Sequence, residues 1–291
     1  MKRFLALLVA AAMIAGAFVV RARIDDDGDT DAAAPDRDVR LVCASELAVA
    51  CADLGGTVED TRTTIDRLVT VDGDPGLDSW LTLDPLPEVV DLLRQQAGRE
   101  RLFDEEPPLV AGTAIAAVGT GLDGCDWRCL GDRGARLGLP DPRGGTGLLV
   151  IGAATAGFFG GDDVATNDFT PVFDAWIRSF TTPTRVDADP VRTRLLSAAF
   201  IDVALDLQVE AETELAGADP DRRGDLAVTY PEPVTHAFAV LAVRRGTPDE
   251  LRTPARPALV DRGWTDPSAL PSGSSGLPSA GVLAALRERV R

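Results

Sequence analysis

Residues 137–160 read LGLPDPRGGTGLLVIGAATAGFFG. An apolar run stops at Pro140 and Pro142, a Gly144-Gly145-Thr146-Gly147 turn follows, and fourteen small or apolar residues then lead to Gly161. Prolines end an extended segment, and glycines leave backbone N–H groups unobstructed by Cβ atoms. The pattern predicts a short strand, a tight turn and a buried helix with Thr146 near its N-cap. Such a helix end carries unpaired N–H donors and partial positive charge, and so can seat an anionic or polar ligand. The same residues also suit a plain close-packed turn into a core helix.

Working outward, the chain alternates. Residues 38–44 (DVRLVCA) predict a strand running into Ser45-Glu46 and a helix over 47–54, ended by Gly55-Gly56. Ser45 reads either as that helix's N-cap or as a hydroxyl at the carboxyl end of a strand, where α/β folds bind ligands. A helix over 61–68, strands over 68–71 and 79–83, and a helix over 85–96 continue a βαβα pattern, which implies a largely parallel sheet. Two long extended runs stand out, 107–120 and 224–244, the second broken by Tyr230-Pro231-Glu232-Pro233. Between them, 168–180 is a helix with Phe169, Val172, Phe173, Trp176 and Ile177 as its core stripe. Next come a helix over 191–196, a strand over 200–205 and a helix over 209–216. Helices over 251–259 and 280–291 close the chain.

Composition excludes several function classes. With 46 acidic against 29 basic residues the net charge is −17, and no basic patch interleaves with aromatics, so no nucleic-acid partner is expected. Gly119–Gly124 matches G-x-G-x-x-G, yet CDWRCLGDRG after it is no apolar helix, so no nucleotide cofactor is implied. The single histidine, His236, lies in the alternating run THAFAV and reads as a strand residue. No Ser-His-Asp elbow is present, and Asp72, Asp74 and Asp78 miss the calcium-loop pattern, so neither catalytic residues nor a metal site are assigned. An exported hydrolase using paired carboxylates is the third-ranked alternative.

Lys2 and Arg3 precede seventeen uncharged residues, Phe4–Val20. Residues 1–23 are therefore a secretory signal or an N-terminal membrane anchor, and the acidic 24–37 a disordered linker. An exported chain with Cys43, Cys51, Cys125 and Cys129 favours disulfides, with local pairing expected among three possible connectivities.

Taken in order, LVCASELAVAC, GLDSWLTLDP, CDWRCLGD, LPDPRGGTGLLVIGAATAGFFG, FIDVAL, LAVTYPEPV, LVDRGW and LPSAGVLAAL cover almost all of 38–291. This series resembles the extracellular solute-binding proteins of the type II periplasmic-binding class. More narrowly, it is similar to actinobacterial members found with von Willebrand factor A domains. The resemblance implies a two-lobed α/β fold, each lobe a mostly parallel sheet flanked by helices. Lobe 1 would be 38–110 and 227–291, lobe 2 would be 111–226, and the crossing strands would lie near 107–118 and 224–241. It implies a small-molecule ligand held between the lobes by Ser45, Glu46, Gly145, Thr146 and Gly147, with Asp78, Ser79 and Tyr230 as further candidates. It also implies a membrane permease of the ABC type as partner. The alternative is a ligand-free envelope module that holds a von Willebrand A or cell-wall protein. Glu46 and the acidic net charge do not suit an oxyanion, so an organic or cationic ligand stays open beside a lost site.

Overall fold

β1 (Leu41–Ala44) is buried along its whole length and pairs in parallel with β2 (Thr57–Glu59) and β3 (Ser79–Leu83). The computed structural model describes residues 40–104, 107–181, 185–186, 189–196, 200–247, 256–270 and 275–290. The signal or anchor at 1–23 and the linker at 24–37 lie outside them. Among the described residues no helix is long and apolar enough to cross a membrane.

Helices α1 (Ala48–Asp53), α2 (Thr61–Thr70) and α3 (Leu86–Gln96) follow these three strands as the alternation requires. The strand expected at 68–71 is instead the end of α2. Ile65 and Leu68 are both fully buried at helical spacing, and the Thr70 hydroxyl donates to the Asp66 carbonyl, a bond between helix neighbours. β2 carries no sequence signal because it is a three-residue edge strand with an exposed start and no apolar alternation.

β4 (Leu109–Gly119) is buried from its second residue onward, which explains its unbroken apolar run. Its first half, to Ala114, pairs antiparallel with β9 (His236–Val243), and its second half, from Ile115, pairs with β7 (Val203–Leu207). The short β8 (Ala227–Thr229) also lies along the second half. The chain thus crosses between two halves along β4. It returns beside it through β8, the Tyr230–Pro233 break and β9. The sheet order is β2-β1-β3-β9-β4-β7-β5-β6, with β8 on β4, where β5 is Leu137–Leu139 and β6 Arg185–Val186. β5, β6 and β7 are mutually parallel, as are β1, β2 and β3, and the antiparallel pairs all involve the crossing strands.

The second half carries α4 (Trp127–Asp132), α5 (Gly145–Phe159), α6 (Pro171–Thr181), α7 (Pro190–Leu196), α8 (Gln208–Gly217) and α9 (Pro220–Arg223). α5 is buried through Ala156 and is the apolar helix expected. On α6 the stripe is Phe173, Ile177 and Phe180; Val172, expected inside, is 71% exposed because it falls on the opposite face. β7 begins at Val203, later than expected, since Asp202 turns outward to the Arg136 guanidinium and Phe200 is 48% exposed. α10 (Arg256–Val260) is the described part of the helix predicted over 251–259, of which 251–255 lie outside the described residues.

The last helix, α11 (Ala280–Arg289), packs on both α3 and α5 and so ties the halves together. Its buried Arg287 donates to the Arg143 carbonyl at 2.7 Å and to Asp66 at 2.6 Å. Disulfides join Cys43 to Cys51 and Cys125 to Cys129, the local pairing expected. The first pins the β1–α1 turn.

Candidate functional site

Parallel strands deliver their carboxyl ends, and the amino ends of the following helices, to one side of a sheet. Here the two halves present those ends to each other across a cleft of about 510 Å³. Ser45, Glu46, Ala48 and Val49 after β1, and Asp60, Thr61 and Arg62 after β2, form one wall. Pro140, Asp141, Gly144 and Thr146 after β5, Asp189 after β6, and Asp206, Glu210 and Glu214 on β7 and α8 form the other. A second cavity of about 320 Å³ shares Glu46, Val49 and Glu210 with it.

Glu46 is the centre of this arrangement. Its carboxylate accepts the backbone N–H of Thr146 at 3.1 Å, the Thr61 hydroxyl at 2.5 Å and the Ser45 hydroxyl at 3.2 Å. A side chain of one half therefore occupies the anion seat at the amino end of α5 in the other. The turn is shaped around it. Gly145 has φ +50°, a conformation that favours glycine, and a Cβ there would overlap Glu46 Oε1. Next to it, a Cβ on Gly144 would meet the Arg62 backbone at 2.8 Å. Arg62 also donates to Asp141 at 3.1 Å, a second link across the cleft.

Ser45 opens a 3-10 turn, Ser45–Leu47, and makes no side-chain cap; the helix starts at Ala48, one turn too late for it. Gly144, the last residue with extended backbone, is the N-cap of α5, and Thr146 stands near it as expected, two residues on. Thr146 is 1% exposed and offers its N–H. Gly147 is buried against the 140–141 backbone and does not line the cleft.

Asp78 and Ser79 are placed elsewhere. The parallel register Leu41↔Ser79 sets Ser79 level with the start of β1, at the opposite end of the sheet from Ser45. There Asp78 bridges Arg40 and Arg244 at 3.0 and 3.3 Å, and these guanidiniums hold its carboxyl below the usual range. Tyr230 sits on the return crossing outside the cleft, donating to Glu212 at 3.3 Å. His236 begins β9, opposite Ala114, as a strand residue.

The cleft is acidic, and its acids differ in how they are held. Asp60 caps α2 through the Thr63 N–H, and Asp141 pairs with Arg62 and Arg143. Arg192 pairs with both Asp189 and Glu214. Asp206 and Glu210 have no cationic partner among the described residues. Burial pushes the Asp206 carboxyl well above its ordinary value, helped by Glu210, Asp189 and Glu46. Glu210 is raised in the same direction, by desolvation first and then by Asp189, Glu214 and Glu46. Sequence reasoning missed both. The available signal was an acid at the carboxyl end of FIDVALDL, the position an α/β fold turns toward a ligand.

No protein-family model matches the chain, and no curated protein matches it in sequence. Solved structures do. A periplasmic thiamin-binding protein superposes with TM-score 0.56 at 14% identity, covering 91% of this chain and 98% of its own. A ferric-binding protein from Campylobacter jejuni superposes with TM-score 0.55 at 10% identity, covering 86% and 96%. Apo FutA2 from Synechocystis PCC6803 gives 0.53 at 13% identity, covering 87% and 98%. At this identity the likeness concerns the fold: the chain has the two-lobed α/β architecture of the periplasmic binding proteins.

Proposed function

We propose that this chain is an extracytoplasmic solute-binding protein that captures a small ligand between its two lobes for an ABC-type permease. The observation that carries the reading is the cleft itself. Its volume of about 510 Å³ suits a small organic molecule, and both halves line it at the carboxyl ends of their parallel strands. The pairing of β4 with β9 and then β7 supports lobes close to 38–110 with 227–291, and 111–226, the two crossings acting as hinge. Two disulfides suit an exported chain, and residues 1–23 would deliver it to the outer face of the membrane or anchor it there. Ser45, Glu46 and Thr146 line the cleft in this reading, Gly145 leaves room for the Glu46 carboxylate and Gly147 packs behind the lining, and the protein performs no chemistry on what it holds.

One observation favours a second reading. Glu46 fills the helix-end seat that an oxyanion would use, so the chain could serve as an envelope module that holds a protein such as a von Willebrand A domain. A thermal-shift screen of the purified chain against amines, amino acids, sugars, oxyanions and divalent salts separates the two. A ligand at a hundred times its dissociation constant adds about 2.7 kcal/mol, a rise of ~5 °C for a domain of this size. Stabilisation by one chemical class is expected. A cooperative melt unmoved by every compound would overturn solute capture in favour of the module.

A further inference from the structure

Resting on the solute-binding reading, we infer that the cleft takes a protonated organic amine, held between Asp206 and Glu210 and turned away from oxyanions by Glu46. Asp206 is 7% exposed, lines the cleft, and spends one carboxylate oxygen on the neighbouring Leu207 N–H at 2.8 Å. The other oxygen has no donor among the described residues. Glu210 stands four residues along, exposed near the start of α8 and likewise without a donor among the described residues, while Asp189 and Glu214 are answered by Arg192 and Asp141 by Arg62 and Arg143. A buried carboxylate without a counter-charge is unfavourable, and an ammonium N–H donor placed against it supplies both the charge and the hydrogen bond.

The occupant's body follows from the rest of the lining. Ala48, Val49 and Pro140 give apolar contact for a carbon skeleton. Among the described residues no aromatic side chain lines the cleft, so they supply no cage of the kind a quaternary ammonium needs. Among the described residues no three His, Cys, Asp or Glu side chains are grouped to hold a metal ion, which sets an organic cation above a bare one. An anion would meet Glu46 already seated on the amino end of α5, and the two unanswered carboxyls of Asp206 and Glu210.

Calorimetric titration at 0.15 M salt tests this with spermidine, 1,4-diaminobutane, choline, magnesium chloride and sodium sulfate. The salt suppresses loose attraction to a chain of net charge −17. One-to-one binding of a primary amine is expected, weakened at least tenfold by Asp206→Asn and by Glu210→Gln. Asp123→Asn, an exposed change of the same charge outside the cleft lining, should stay within twofold of the unaltered chain. The near-isosteric Asp206→Asn is checked for folding by its melt, and Glu210→Gln changes an exposed side chain. Equal binding of choline would overturn the hydrogen-bonding account, and binding of magnesium alone would overturn the organic ligand. Binding of sulfate here, or stabilisation by a sugar in the thermal-shift screen, while every amine fails would sink the amine inference and leave solute capture standing. Failure of all solutes would sink the underlying reading as well.

Discussion

Glu46 and Gly145 define each other. The carboxylate can reach the Thr146 N–H only because no side chain stands at Gly145, whose φ of +50° also favours glycine. Gly145→Ala should therefore destabilise the protein in two separable ways. The left-handed backbone costs about 1–2 kcal/mol for an L-residue, and the overlap with Glu46 adds to it. In a Glu46→Ala background the overlap vanishes and only the backbone part remains, so urea unfolding of the four proteins should show a coupling of at least ~1 kcal/mol. Independent, additive effects would mean that Glu46 does not sit where the structure has it. At this scale the sequence spoke partly. Thr146 and Glu46 were legible as residues at helix starts, but nothing local says that one half's carboxylate would satisfy the other half's helix. That contact joins residues a hundred positions apart.

Among the elements, the long ones were readable and the short ones were not. β4, β9 and α5 have unbroken apolar runs because they are covered on every side. β2 is three residues at a sheet edge and left no pattern. The loop before β3 misled for a geometric reason. Strand direction and register decide which end of a strand faces the cleft, so Asp78 and Ser79 went to the far end while Asp206, unremarkable in sequence, arrived at the near one. α11 shows what holds the elements together. Its Arg287 is 3% exposed, so Arg287→Met should keep the packing and remove two hydrogen bonds, from the Arg143 carbonyl and from Asp66. Leaving this part-buried carbonyl unanswered costs about 1 kcal/mol or more. A melt lowered by several degrees is expected. A change within ~1 °C would show that Arg287 contributes no stabilising polar link between the halves.

On the scale of the whole molecule, the alternation of strands and helices announced a largely parallel α/β sheet, while two lobes and a double crossing came from the resemblance that the ordered motifs carry. The ligand's character was less accessible, because net charge describes the surface as a whole and not one cleft. The cleft's own sign emerges only when β6, β7 and α8 bring Asp189, Asp206, Glu210 and Glu214 to the same wall. The links across it, Glu46 to Thr146 and Arg62 to Asp141, are few and hydrogen-bonded rather than apolar. In the proposed reading such contacts let the cleft open and close about β4 and the β8–β9 return, while α11, packed on both α3 and α5, stays as the tie between the halves. Small-angle X-ray scattering, during titration with the compound that most raises the melting temperature, tests that claim most directly. The account predicts that the radius of gyration falls as ligand is added and levels off at one equivalent. Scattering unchanged at saturation would contradict capture by closure of the two lobes.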